Sequence, residues 1–199
     1  MSLFIETIRL KSGLLRNLPF HQERFERTRR ARLGLQHHPL LEQALEIPGG
    51  LESGLFKCRV IYGSQIERVE YEPYLRPVIT SLKLVRSDTV AYAYKEADRT
   101  LLDTLFRSRG DADDILIVKD GLLTDSYYAN ITLWDGRSWH TPDTPLLKGT
   151  MRAFLLRQGV LSEKHLHVED LKSYRVIRLI NALNPLEEAP EIHVRCIRQ

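Results

Sequence analysis

Residues 114–134 read DILIVKDGLLTDSYYANITLW, and the order of pieces inside this stretch decides the fold. Asp114 to Val118 is a short apolar run, the pattern of a buried strand. Lys119-Asp120-Gly121 is a hairpin turn, because Asp-Gly tolerates the backbone angles such a turn demands. Leu122 begins the return strand, and Asn130 to Trp134 is a third, closed by Asp135-Gly136. Strands that follow one another in runs, without strict alternation with helices, point to an α+β chain rather than a doubly wound α/β one.

The same reading extends outward. Leu3 to Leu10 is strand-like, Lys11-Ser12-Gly13 turns, and Leu14-Leu15 begins a second strand. Pro19 precedes a helical segment, Phe20 to Leu35, with Phe20, Phe25, Leu33 and Leu35 as inward candidates and Arg24, Arg27, Arg29, Arg30 and Arg32 on the surface. Pro39 to Leu45 is a second helical stretch. Gly54 to Tyr62 and Ile66 to Tyr74 form a hairpin, and Leu82 to Arg86 is a short strand. Further on, Arg99 to Arg109 and Gly149 to Gly159 read as helices. Val176 to Leu183 fits either strand or helix, and His193 to Ile197 is the last strand. With no repeat and no low-complexity linker, two lobes are expected: a small one over residues 1–86 and a larger one over 87–199, the second carrying Lys95.

The chain has 199 residues and 23.1 kDa, enough to bury a core. It carries 29 Lys plus Arg against 26 Asp plus Glu, a net charge of only +3, which is not the balance of a dedicated nucleic-acid binder. Hydrophobic residues at 43% and charged residues at 28% exclude a disordered, collagen-like or coiled-coil chain. No apolar run approaches the roughly 18–20 residues of a membrane span. Cys58 and Cys196 form neither a metal-spaced pair nor a dense disulfide set, so a cytoplasmic location is expected. The seven histidines have no metal-ligand spacing, and no metal is expected.

Three places carry potential chemistry. Lys95 ends the alternating stretch Ala91-Tyr92-Ala93-Tyr94-Lys95. A lysine partly desolvated among aromatic rings has a lowered pKa and attacks carbonyls better; the plain alternative is a solvated lysine on an edge strand. Asp125 lies in TDSYYAN, between two apolar strands, where a carboxylate can face a pocket or merely serve a polar connection. Leu147-Lys148-Gly149-Thr150-Met151-Arg152 places a glycine at a helix entrance, where exposed N–H groups bind anions.

Taken in order, these segments resemble one family. Phe4-Ile5-Glu6-Thr7-Ile8-Arg9, then Gly13, then His21-Gln22-Glu23-Arg24-Phe25 resembles the amino-terminal pattern of class IV aminotransferases. These are the fold-type IV enzymes that use pyridoxal 5'-phosphate (PLP), including aminodeoxychorismate lyase and the branched-chain and D-amino-acid aminotransferases. Tyr94-Lys95 through Arg99 looks like the family's lysine segment. Leu123-Thr124-Asp125-Ser126 through Asn130-Ile131 looks like its acid-and-asparagine strand pair, and Leu147 through Arg152 like its phosphate-binding helix start. Asn181-Ala182-Leu183 resembles its last cofactor loop. The resemblance runs from about residue 4 to 195.

What the resemblance implies is a two-lobed fold with PLP in the cleft, and a homodimer acting on a small amino substrate. Lys95 would be the catalytic residue, holding the cofactor aldehyde as a Schiff base and later moving protons. Arg24 would bind the phosphate, with the backbone of Gly149, Thr150 and Met151 and the turn at Asn181. Asp125 would face the pyridine nitrogen, and Asn130 would support the cofactor loop. Arg99, Arg59 and Tyr128 are candidates for substrate contact.

The chain departs from the family pattern in three ways. Asp125 stands where glutamate is usual, Thr150 directly follows the glycine, and the chain is shorter than most members. Its size, and the lack of an obvious branched-chain signature, favour an aminodeoxychorismate lyase-like activity in folate biosynthesis, giving 4-aminobenzoate and pyruvate, over an aminotransferase. From other classes, a nucleic-acid-binding module using the basic helix 24–32, and a member that has kept the fold without catalysis, stand as alternatives. No nucleic-acid or membrane partner is expected.

Overall fold

The computed structural model describes residues 2–199. They form two compact units: unit 1 comprises the chain up to Arg76 together with Tyr94–Asp98, and unit 2 comprises Pro77–Ala93 and Arg99–Gln199.

Unit 1 begins with β1 (Phe4–Lys11) and β2 (Leu14–Leu15), joined at Ser12 and Gly13, both with positive φ. Then come α1 (Leu18–Leu33), α2 (Leu41–Ala44), β3 (Leu55–Tyr62) and β4 (Ile66–Pro73). The strands make an antiparallel sheet in the order β2-β1-β3-β4. Helix α1 starts with Pro19 in its first turn, where a missing N–H costs nothing, and stops at Gly34, whose φ of 69° suits a residue without Cβ. Phe25 on α1 packs with Phe4, Ile8, Val60 and Tyr62, and Phe25 and Tyr62 meet ring to ring at 4.6 Å. Fully burying one such ring stabilises the unit by roughly 1.5–3 kcal/mol.

Two expectations change here. The arginines of α1 do not all face solvent, since Arg24 and Arg29 are buried. Arg29 stacks on Phe25 and donates to the carbonyls of Gly63 and Ser64, and Arg32 pairs with Glu96. The uniform basic stripe on which a nucleic-acid reading rests is therefore interrupted.

The second change is the division of the chain. Tyr94–Asp98 counts with unit 1 because it docks on the start of β1. Glu96 bridges Phe4, Ile5 N–H donates to Lys95 O at 2.9 Å, and Ala97 N–H donates to Leu3 O at 2.8 Å. The lysine thus belongs to the amino-terminal unit, and the boundary lies after Arg76 rather than near residue 86.

Unit 2 contains β5 (Leu82–Arg86), α3 (Thr100–Arg107), β6 (Asp114–Lys119), β7 (Leu122–Ser126), β8 (Asn130–Trp134), β9 (Trp139–Pro142), α4 (Thr150–Arg157), β10 (Leu161–Lys164), β11 (Val176–Ile180), β12 (Glu191–His193) and β13 (Ile197–Arg198). Its strands form one mixed sheet in the order β10-β9-β8-β7-β6-β5-β13, with β11 pairing both β8 and β12. The β6–β7–β8 meander is antiparallel, and β5 joins β6 in parallel. The hairpin turn has Asp120 at φ 51° and Gly121 at φ 78°, the left-handed pair that such a turn requires. Leu116, Leu123, Ile131, Leu133, Ile177 and Leu179 fill the core on one face of this sheet.

The α+β class holds, and 176–180 is strand. The terminal segment is not one strand: β12 ends at His193, a 3-10 turn spans Val194–Cys196, and β13 follows. The break comes from His193 Nδ1 accepting Arg195 N–H at 3.2 Å, a local bond that competes with the sheet ladder. Among the described residues no helix is long and apolar enough to cross a membrane.

Candidate active site

In unit 1 the chemistry gathers around a buried acid. Glu6 lies mid-strand in β1 with no exposed surface. Arg24 reaches it from α1, with Nε donating to Oε1 at 2.9 Å and Nη2 to Oε2 at 2.6 Å. His21, three residues earlier on the same helix face, meets Oε2 through Nδ1 at 2.6 Å. An ionised carboxylate only accepts, so this bond assigns the proton to Nδ1.

Burial alone would raise the Glu6 pKa, but the Arg24 charge and the bonds from His21 and Arg24 hold it down to about 2. Burial keeps His21 below the ordinary histidine range, outweighing its bond to Glu6, and the charges of Arg24 and Lys95 add to the effect. His21 is therefore neutral beside an ionised Glu6. Lys95 is half-buried in the same unit, on the segment that docks against β1.

In unit 2 the sheet brings four of the expected residues together. Asp125 on β7 pairs in register with Asn130 on β8. Asn130 Nδ2 donates to Asp125 Oδ1 and to Leu147 O, both at 2.8 Å, and Leu147 N–H donates to Asp125 Oδ2 at 2.9 Å. Gly149, the residue before α4, lies so close that a Cβ placed there would fall on Asn130 Oδ1. The carboxyl and the amide thus clamp the loop that delivers the first turn of α4. Thr150 and Met151 in that turn are buried, and Met151 packs with Ile180 of β11. Asn181 follows, its Oδ1 accepting from Leu183 N–H at 2.9 Å and Asn184 N–H at 3.0 Å, which closes a tight polar turn. Ile180 is in register with Asn130, so this turn stands at the same end of β8 as the Asp125 pair.

Burial raises the Asp125 pKa to about 6, with the bonds from Leu147 and Asn130 and the charge of Arg152 pulling the other way. Its two oxygens already accept from Asn130 and from the backbone N–H groups of Leu146 and Leu147. A carboxylate has about four lone-pair sites, so capacity remains for a donor on a ligand.

Glu6 and His21 carry more of the arrangement than their residue types announce. The available signal is the three-residue spacing of His21 and Arg24 on one helix face; that Glu6 lies opposite them is a long-range pairing. Arg59 sits half-buried on β3, opposite Thr7 and Glu70. No group of three His, Cys, Asp or Glu among the described residues is arranged to hold a metal.

Each of these donors suits a particular kind of group. A half-buried primary amine suits an aldehyde. A buried guanidinium and a helix start, whose first amides have no carbonyl ahead of them within the helix, suit a phosphate. A buried acid titrating near 6 suits a weakly basic ring nitrogen.

Comparison with known proteins identifies the family. Residues 64–189 match the family Amino-transferase class IV. A protein of uncharacterized function from Haemophilus influenzae is 36% identical over 183 residues, which is 91% of this chain and 97% of its own. A crystal structure from Haemophilus somnus 129PT, provisionally named a 4-amino-4-deoxychorismate lyase, is 34% identical with a TM-score of 0.89, covering 94% of this chain and 98% of that one. A structure from Mesorhizobium loti, provisionally named an amino-acid aminotransferase, shares the fold at TM-score 0.78 and 24% identity, covering 96% of this chain and 99% of that one.

Proposed function

Because the chain belongs to the class IV aminotransferase family, we propose that it is a PLP-dependent enzyme of the lyase kind, releasing pyruvate and 4-aminobenzoate from aminodeoxychorismate. The observation that carries the cofactor reading is the buried Arg24–Glu6–His21 cluster in the same unit as Lys95. The lyase reading draws on the whole-length similarity to the Haemophilus somnus structure.

When bound, PLP supplies an electron sink for a carbanion at the substrate α-carbon. This chain's residues do the rest. Lys95 Nζ would hold the cofactor aldehyde and would take up the α-proton of the substrate. Arg24 binds the phosphate through charge-assisted hydrogen bonds. Glu6 grips two of the five N–H groups of that guanidinium, so it orients the group without leaving the cation uncompensated. The amides of Gly149, Thr150 and Met151 and the Asn181 turn add neutral donors to the phosphate. Asp125 would hold a proton at the ring nitrogen, and Asn130 keeps Asp125 and the loop before α4 in place. Aspartate is one methylene shorter than the usual glutamate, and its bonds to Asn130 and Leu147 set how far the carboxyl extends.

Incubation with aminodeoxychorismate tests the reaction. Equal amounts of 4-aminobenzoate and pyruvate support the lyase. Amino exchange with an α-keto acid, and no 4-aminobenzoate, reassigns the chain to the aminotransferases, the reading that the Mesorhizobium loti likeness keeps open. We propose further that the active form is a homodimer, with a sedimentation mass of twice 23.1 kDa, and that it works in the cytoplasm, in keeping with two unpaired cysteines.

A further inference from the structure

Arg99 opens α3, four residues after Lys95 in the chain, an interval that spans at most about 14 Å even when fully extended. Its guanidinium is packed among three tyrosines, with Cζ 4.3 Å from the ring centre of Tyr128, 4.7 Å from Tyr127 and 5.5 Å from Tyr92. Nη2 donates to Tyr127 O at 2.6 Å and Nη1 to Tyr92 Oη at 3.3 Å. Nε is buried and has no hydrogen-bond partner. Among the described residues no carboxylate pairs with this cation. The nearby acid, Asp103, accepts from the Tyr127 hydroxyl instead.

A half-buried guanidinium without a counter-charge is unusual, because a desolvated cation is costly unless an anion faces it. Ring contacts recover part of that cost. They supply no anion for its N–H groups. Nη1 and Nη2 carry four N–H groups between them, more than the bonds to Tyr92 Oη, Tyr127 O and the Tyr127 hydroxyl take up, so donor capacity remains for a carboxylate. Beside it, Tyr128 is 60% exposed. Tyr127 holds Tyr128 edge-on at 4.1 Å, and Phe106 stacks on Tyr127 at 4.1 Å. An exposed aromatic ring steadied from behind offers an apolar platform to a planar ligand.

We propose that Arg99 and Tyr128 form the substrate-recognition site for a carboxylate carried on an unsaturated ring, Arg99 taking the carboxylate and Tyr128 the ring. The inference rests on the lyase reading above and assigns two residues to recognition of its substrate. It assigns Arg99 to specificity rather than to the reaction itself. An aliphatic amino acid would leave the Tyr128 platform unused.

The test titrates the PLP-loaded protein with 4-aminobenzoate and with aniline, which has the ring without the carboxylate. The wild type is expected to bind 4-aminobenzoate at least about tenfold more tightly than aniline. Arg99→Gln, with cofactor absorbance and melting temperature unchanged, is expected to reduce that preference below about twofold. Tyr128→Ala, at an exposed ring that folding does not need, is expected to weaken both ligands about equally. Should Arg99→Gln not fold, the Tyr128→Ala titration decides alone. A wild type without the carboxylate preference, an Arg99→Gln protein that retains it, or a Tyr128→Ala protein that binds both ligands as before would each overturn the assignment. Failure of the wild type to take up PLP would instead count against the cofactor reading, and the same titration on unloaded protein would still read Arg99.

Discussion

Arg24 holds Glu6 side-on inside unit 1, with two bonds of 2.9 and 2.6 Å and His21 on the second oxygen. Removing the acid takes away the carboxylate that faces this buried cation. Glu6→Ala is expected to lower stability by about 3–5 kcal/mol, read from urea unfolding at pH 7. Replacing both partners with leucine removes the uncompensated charge and should recover most of that loss. The double variant should still bind PLP far more weakly than the wild type, because the phosphate partner has gone. A double variant with normal cofactor affinity would take Arg24 out of the phosphate site.

The two buried acids push the pH dependence of stability in opposite directions. Glu6 has a folded pKa of about 2, below the ordinary 4.5, so its contribution is complete above pH 4.5 and disappears as pH falls through 2. Asp125 has a folded pKa of about 6, above the ordinary 3.8, so the folded state binds more protons between those values. Stability from this group is therefore complete below pH 3.8 and is lost as pH rises through 6. Asp114, also raised to about 6 by burial, titrates in the same window. Asp125→Asn in cofactor-free protein should thus remove about half of the fall in urea midpoint between pH 4 and 6. An unchanged slope would contradict the burial of this carboxyl.

Gly149 is required for its lack of a side chain rather than for backbone freedom, since its φ is −71°. Gly149→Ala drives Asn130 away from Asp125 and Leu147. The expected cost is about 1–3 kcal/mol together with weaker PLP binding, because buried partners lose their bonds. At Gly49 a Cβ meets nothing within 4 Å. Gly49→Ala, as a control, should stay within about 0.5 kcal/mol of the wild type.

How much of this was legible in the sequence follows the range of the interactions. The β6–β7–β8 meander was readable because Asp120-Gly121 marks its turn and the apolar runs mark its strands, and the bounds of β8 match those expected. Asp125, Asn130 and Gly149 meet because neighbouring strands and one short loop suffice to join them. The unit to which Lys95 belongs was not readable, because it depends on a bridge between Glu96 and Phe4, far apart in sequence. Strands β9 and β10 were missed because WHTP and LSEK show no strict apolar alternation. Arg24 and Arg29 looked solvated because charge alone carries no information about a buried acid or carbonyl opposite.

The central claim is that Lys95 holds PLP, and one measurement reaches it directly. The protein is mixed with PLP, reduced with borohydride and digested, and the labelled peptide is identified. The account predicts a visible absorbance band at about 420 nm before reduction, and a single label on Lys95 after it. Lys95→Ala should show neither. A protein that stays colourless with excess PLP, or whose label falls on another lysine, would contradict the account.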